Sequence, residues 1–210
     1  MADDKSNGPI EVVVAIVLSA AGLSSSWASY QAALWDGEQA SRYSLANALH
    51  TQSSRASLDA STWRALEISM FGAWLEAKST GNERLADFYM ARIPPDLKPA
   101  LDEWLAQKPL QTPNAAATPF KLPSYSPAGL KEAQAIDARA DAVFAEGQHA
   151  NKVSDDFTQG AVILAMSMFF GGIGQVFRFN RVRMVFAAVA ALTCAIGLIR
   201  ILALPSLAAG

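Results

Sequence analysis

The stretch FTQGAVILAMSMFFGGIGQVF, from Phe157 to Phe177, contains no charged residue. A second apolar stretch, VRMVFAAVAALTCAIGLIRILAL, runs from Val182 to Leu204. A helix needs roughly 20 residues to cross the hydrocarbon core of a bilayer, and each stretch has that length. Because only residues 178–181 separate them, the two stretches predict a transmembrane hairpin.

Residues 10–28 (IEVVVAIVLSAAGLSSSWA) predict an earlier span, preceded by a short tail at 1–9. Its serines can return hydroxyl hydrogen bonds to the helix backbone, which lets them lie inside a helical bundle. A cleaved signal peptide is the alternative, and SAA at 19–21 offers a small-x-small cleavage site. Signal peptides begin with a positive region, whereas two aspartates oppose one lysine here. We therefore interpret the segment as an uncleaved anchor.

The link between the last two spans is basic, because it contains or borders Arg178, Arg181 and Arg183. Lysine and arginine in short loops favour the cytoplasmic side. The turn and the N-terminus are therefore predicted inside, and the region 29–156 and the C-terminal tail 205–210 outside. For a bacterium this means a multi-pass protein of the inner membrane with a periplasmic central domain.

The composition argues against several functional classes. The chain has 210 residues, a hydrophobic fraction of 51% and a net charge of −2, so nothing favours nucleic-acid binding. The one cysteine, Cys194, falls inside the third span, which leaves the outer domain without disulfides. No nucleophile elbow or phosphate-binding loop is recognisable, and no metal-ligand pattern includes both histidines. We expect no catalytic residue, cofactor or metal.

The region 29–156 is predicted to be helical. No proline occurs between Pro9 and Pro94, and good helix formers are frequent in that interval. Apolar side chains recur at helical spacing and predict a buried stripe on one long helix; they are Leu34, Leu45, Leu49, Leu58, Ala65, Ile68, Phe71 and Leu75. STGN at 79–82 marks its end, and short helices are expected at 83–93 and 96–107. Three tryptophans, Trp63, Trp74 and Trp104, are expected to fill the domain core.

Residues 108–127 are rich in proline and cannot form a regular helix or a central strand. We predict an extended strap that packs on the helices through Leu110, Phe120, Leu122 and Tyr125, with a flexible linker as the alternative. Pro127 is predicted to start a second long helix, which continues through 128–156 into the second span. The two long helices are then antiparallel.

This antiparallel pairing has a predicted register. If Ser29 and Phe157 mark the same membrane edge, residues at equal height have numbers that add to about 186, since both helices rise equally per residue. Gln31 is then level with Asp155, and Trp35 is level with Asn151. His50 comes near Ile136, about 20 Å from His149, so the two histidines are not expected to share a metal.

The register places a polar collar where the outer domain meets the membrane. Its members are Tyr30, Gln31, Trp35, Glu38, Gln39, Asn151, Asp155 and Asp156. One interpretation is interfacial anchoring, because tryptophan and tyrosine concentrate at membrane interfaces. The other is a subunit-contact or cation-attracting ring, in which the two aspartates repeat around an oligomer. Arg200, inside the third span, is expected to snorkel toward Asp155 or Asp156.

Several segments resemble a family of uncharacterised bacterial integral membrane proteins. They are WASYQAALWDGEQASRY at 27–43, LADFYMARIPPDLKPALDEWLAQKP at 85–109, TPNAAATPFKLPSY at 112–125, ANKVSDDF at 150–157 and FFGGIGQVF at 169–177. The resemblance implies one N-terminal span, a helical extracytoplasmic region and a C-terminal hairpin. It implies no activity, ligand or catalytic residue. Arg200 departs from it, because similar chains are apolar at that place.

The sequence therefore predicts an all-α integral membrane protein with three transmembrane helices and an extracytoplasmic antiparallel helical domain. The leading functional hypothesis is a non-enzymatic envelope protein that acts in structure or in protein–protein interaction through its outer domain. The alternative is an oligomeric channel or transporter-like protein with the acidic collar at its mouth. The expected partners are the lipid bilayer and either further copies of the chain or another membrane protein.

Overall fold

The computed structural model describes residues 8–109 and 111–208. Five α-helices occur there, and no β-strand is found within those ranges. They are α1 (Gly8–Ser79), α2 (Glu83–Met90), α3 (Lys98–Ala106), α4 (Leu130–Gly174) and α5 (Asn180–Leu202), with a 3-10 turn at Pro119–Lys121. The all-helical prediction is confirmed. Some predicted features lie outside the described residues. They are the contact of Leu110, most of the tail 1–9 and the last two residues of the tail 205–210.

The chain divides into two compact units. The first, here called the span unit, comprises Met1–Ser44 and Val143–Gly210. The second, here called the middle unit, comprises Leu45–Ala142. Helices α1, α4 and α5 each contain a segment that is long and apolar enough to cross a membrane. These three segments belong to the span unit and correspond to the three predicted spans.

In the span unit, α1 and α4 approach closely enough for side-chain hydroxyls to reach the backbone of the opposite helix. Ser154 Oγ donates to the Ala32 carbonyl over 3.0 Å, and Ser25 Oγ donates to the Ala161 carbonyl over 3.3 Å. Both pairs have residue numbers that add to 186, so the predicted register is confirmed in this unit. Such contacts require small side chains between the helices.

Small buried residues recur every seven positions on α4. They are Ala133, Ala140, Gly147, Ser154 and Ala161. A seven-residue repeat keeps one face of a helix toward its neighbour when the pair supercoils with a left hand. In the middle unit the same repeat brings Ser53 Oγ to the Ala133 carbonyl over 2.9 Å, again at a sum of 186.

Helix α5 packs against α1 and α4 of the span unit through glycines and a serine. A Cβ on Gly197 would lie 2.8 Å from the Leu164 side chain, and one on Gly160 would clash with Ile201. Ser167 Oγ donates to the Ala190 carbonyl over 2.7 Å. The shared core is apolar and includes Ala28, Phe157, Leu164, Cys194 and Ile201.

The middle unit has an aromatic core. The Phe71 ring contacts Trp74, Trp104 and Phe120, with centroid distances of 5.9, 5.2 and 5.7 Å. Ala86 of α2, Leu101 of α3 and Leu97, the residue before α3, are also part of it and are fully buried. Asn82 caps α2 by accepting the Leu85 N–H. Trp63, in contrast, is 59% exposed, so its predicted place in the core is wrong.

The strap is ordered by specific contacts on this core. Phe120, Leu122 and Tyr125 pack against it as predicted. The Tyr125 hydroxyl donates to the buried Glu67 carboxylate over 2.6 Å, and Trp104 Nε1 donates to the Ala116 carbonyl over 2.6 Å. Burial raises the pKa of Tyr125, and the hydrogen bond to Glu67 raises it further. For the described residues, these contacts support the predicted strap over the alternative of a flexible linker.

Several predicted helix boundaries differ from the structure. Helix α2 ends at Met90 rather than at residue 93, and α3 extends over Lys98–Ala106 rather than 96–107. Helix α4 begins at Leu130 rather than at Pro127, because Gly129 adopts a left-handed φ of 74° and ends the strap. Helix α4 ends at Gly174, where tight turns such as Val176 N–H to Ile173 O replace the α-helical bonds, and α5 begins at Asn180. Arg181 and Arg183 therefore lie in α5 and not in the turn.

The predicted apolar stripe on α1 is only partly the buried face. Leu49 and Phe71 are buried, but Leu45, Leu58 and Ile68 are exposed. The seam side of the helix carries smaller side chains instead, among them Ala46, Ser53 and Ala60. Close packing of α1 and α4 leaves no room for leucine at those positions.

The contact between α1 and α4 can be tested at Gly147. A Cβ there would lie 2.6 Å from the Tyr43 ring. Overpacking costs about 1–3 kcal/mol, more than the roughly 1 kcal/mol that alanine gains over glycine in a helix. We expect Gly147→Ala to lower the thermal midpoint measured by circular dichroism in detergent.

Gly37→Ala is the matched control, because nothing lies within 4 Å of a Cβ at that position. This variant should raise the midpoint through helix propensity alone. Equal stabilisation by both substitutions would contradict the close seam.

Candidate functional site

The collar residue Gln31 is buried and holds the C-terminal tail. Its Nε2 donates to the Leu207 carbonyl over 3.0 Å, and its Oε1 accepts the Leu207 N–H over 2.9 Å. The side chain is only 4% exposed, and these two hydrogen bonds satisfy its buried donor and acceptor. A carboxamide has one donor group and one acceptor, which match the backbone of an extended residue.

Trp35 holds the same tail one turn farther along α1. Its Nε1 donates to the Pro205 carbonyl over 3.1 Å, and its ring meets the edge of His149 at a centroid distance of 6.3 Å. Asn151, which was predicted to be level with Trp35, donates its hydrogen bond to Asp155. Leu204 adds an apolar contact with the core of the span unit. The tail thus forms a clasp, defined here as Leu204 to Leu207, across the collar.

The two aspartates of the collar have partners within the chain. Asn151 Nδ2 donates to Asp155 over 3.2 Å. Arg200 lies 3.9 Å from Asp156, which confirms the predicted direction of its side chain. Gln31 was predicted level with Asp155, but it turns toward the tail instead.

The remaining collar residues divide into paired and unpaired groups. Glu38 accepts from Arg42 over 2.7 Å, and Arg42 also reaches Glu146 of α4. The hydrogen bond with Glu38 is the largest cause of a raised Arg42 pKa. Tyr30 is exposed and Gln39 is half-buried, and neither side chain forms a hydrogen bond within the described ranges.

At the other end of the span unit, the basic turn contributes one ion pair. Arg183 lies 2.9 Å from Glu11, and only 14% of its side chain is exposed. Arg178 and Arg181 are exposed. Arg183 and Arg200 are separated along α5 by about 25 Å at 1.5 Å per residue. Helix α5 therefore has one ion pair near each end.

The two histidines lie in different units and have different neighbours. His50 Nδ1 lies 3.0 Å from Asp137, and its Nε2 lies 3.8 Å from Asp141, both in the middle unit. His149 belongs to the span unit, beside Trp35. Among the described residues, no group of three or more metal-binding side chains is present.

Sequence reasoning missed the C-terminal clasp and the Glu11–Arg183 pair. A signal for the clasp existed, because Gln31 interrupts a run of alanines and Pro205 ends α5. The ion pair joins Glu11, near the start of α1, to Arg183, near the start of α5. The predicted topology places both of these helix ends on the same side. No known protein family, curated protein or solved structure matches the chain. The family resemblance therefore stays a prediction.

Removing the Gln31 carboxamide should release the clasp. Gln31→Leu removes both hydrogen bonds to the Leu207 backbone, each worth about 0.5–1.5 kcal/mol. A nitroxide at Ser206→Cys, in a Cys194→Ala background, is expected to change from a restricted spectrum to a mainly mobile one.

Gln39→Leu is the control for the nitroxide measurement, since that carboxamide has no contact with the clasp. It should leave the spectrum unchanged. A restricted spectrum in Gln31→Leu would show that the tail is held by other contacts.

Proposed function

We propose that the chain is a multi-pass membrane protein whose span unit lies in the bilayer. Large apolar side chains on its helices are exposed, and in water such a surface would aggregate. They include Val12, Val13, Ile16, Leu23, Phe169, Leu192, Ile199 and Leu202. Lipid would cover them without leaving backbone N–H or C=O groups unpaired, because those groups are hydrogen-bonded within each helix.

The charged side chains of the span unit fit this placement. The ion pairs at Arg183 and Arg200 bracket about 25 Å of α5, close to the thickness of a thin hydrocarbon core. Arginine near the ends of a span can place its charge at the interface, and pairing with a carboxylate lowers the cost. Arg178, Arg181 and Arg183 favour a cytoplasmic turn, which puts the middle unit on the extracytoplasmic side of a bacterial inner membrane.

We further propose a non-enzymatic function in which the middle unit contacts a protein. The observation that carries this proposal is an apolar strip on the middle-unit part of α1. Trp63 is 59% exposed and Leu66 is 51% exposed, and half-buried Met70 follows at helical spacing. Exposed tryptophan is typical of interaction surfaces, where it supplies much of the binding energy.

A channel is less well supported than this interaction function. A cation-attracting ring requires carboxylates whose charge is free to act on the pore. Asp156 lies beside Arg200, and Asp155 accepts a hydrogen bond from Asn151. These contacts favour an anchoring role for the collar. The partner we propose is therefore a second copy of the chain or another membrane protein.

Membrane placement can be tested by labelling single cysteines in a Cys194→Ala background. An impermeant maleimide applied to intact spheroplasts is expected to label Trp63→Cys and to spare Arg178→Cys until lysis. The reverse pattern would invert the orientation. Equal labelling of both sites before lysis would contradict insertion of the span unit.

The interaction surface can be tested with a photo-crosslinking phenylalanine analogue at position 63. We expect one discrete adduct in cells, and no adduct when the analogue replaces Ser61, which is exposed on another side of α1. Leu66→Glu should reduce the adduct at least fivefold. An adduct of twice 22.4 kDa would identify a second copy. Equal adducts at positions 63 and 61, or none at either, would contradict a specific surface.

A further inference from the structure

The middle unit contains a cavity of about 290 Å³. Its apolar walls are Trp74, Leu75, Trp104, Leu105 and Pro109, and its polar lining residues are Lys78, Lys108 and Gln111. Its volume lies at the lower limit of ordinary ligand sites, which are mostly apolar with a few polar groups.

One polar group beside this cavity has no partner. Trp74 is 4% exposed, and its Nε1–H finds no hydrogen-bond acceptor within the described chain. The neighbouring Trp104 differs, because its Nε1 donates to the Ala116 carbonyl. A buried donor without an acceptor costs about 1–3 kcal/mol. Of the two indoles that line the cavity, that of Trp74 is therefore the less well satisfied.

The charged residues that line the cavity, Lys78 and Lys108, are both positive. Lys78 forms an ion pair with Glu83 over 2.6 Å, which offsets its charge. Lys108 is exposed and forms no ion pair with any side chain that the structure describes. An apolar cavity with this rim suits a ligand that is apolar along its body and negative at one end.

We propose that this cavity binds a single-chain anionic amphiphile, namely a carboxylate with an apolar tail of moderate length. The tail lies between the two indoles, and the carboxylate meets Lys108 and Lys78. A cationic amphiphile meets charges of its own sign. The site is distinct from the strip at Trp63, so this inference does not depend on the proposed protein contact.

The backbone conformation of Lys108 makes a substitution to glycine informative. Its φ is 48°, a left-handed conformation that glycine adopts freely and that costs other residues about 1–2 kcal/mol. Lys108→Gly removes the charge while relieving the backbone. The variant should therefore fold at least as well as the native chain and bind the ligand less tightly.

The experiment uses the full chain, with its tryptophans labelled with ¹⁵N, in nanodiscs of neutral phosphatidylcholine. The five tryptophans each give one indole N–H signal. Titration with sodium decanoate is expected to shift the signals of Trp74 and Trp104 and to leave those of Trp27, Trp35 and Trp63 in place. Trp74→Phe and Trp104→Phe assign the two signals.

Lys108→Gly is expected to raise the apparent Kd for decanoate at least fivefold, and Lys78→Gln should raise it less. Lys131→Gln removes an exposed lysine elsewhere in the middle unit and should have no effect. Decyltrimethylammonium should not shift the Trp74 signal. Equal shifts of all five indoles would show partition into lipid only and overturn the proposal. An unchanged Kd in Lys108→Gly would also overturn it.

Discussion

The close approach of α1 and α4 is the constraint on which the rest of the structure depends. A serine hydroxyl can donate to the carbonyl of a neighbouring helix only when both backbones are near, as at Ser154 and Ala32. Small residues every seven positions maintain that distance along α4. The same kind of contact occurs in each unit, at Ser25 in the span unit and at Ser53 in the middle unit.

This constraint also determines which apolar residues remain outside. Alanine and serine occupy the seam positions, so larger side chains on α1 such as Leu58 and Trp63 face away from it. Hydrophobic periodicity assigns the largest residues to the core, and for a narrow seam this rule selects the wrong face. The exposed apolar residues of both units follow from this packing.

Sequence reasoning predicted heights along the helices better than directions around them. Equal rise per residue fixes which positions of α1 and α4 are level, and the hydroxyl contacts agree with that register. It does not fix where each side chain points. Gln31 and Trp35 therefore have the expected height but contact the C-terminal tail, which no periodicity of α1 could reveal.

Other features depend on the backbone conformation of single residues. Amino-acid composition does not reveal that conformation. Gly129 delays the start of α4, and Lys108 adopts a left-handed φ where glycine is usual. The strap was more predictable, because its prolines exclude regular structure and its aromatic residues need cover. Such segments are constrained by the core beneath them rather than by their own periodicity.

The two units differ in how completely their polar groups are satisfied. In the span unit the buried Gln31, Ser154 and Ser167 all have hydrogen-bond partners within the chain. In the middle unit the buried Trp74 N–H has no acceptor among the described residues. Satisfied polar groups stabilise one arrangement, whereas an unpaired buried N–H raises the free energy of the folded state. The hydrogen-bonded Gln31 of the collar therefore stabilises the fold of the span unit.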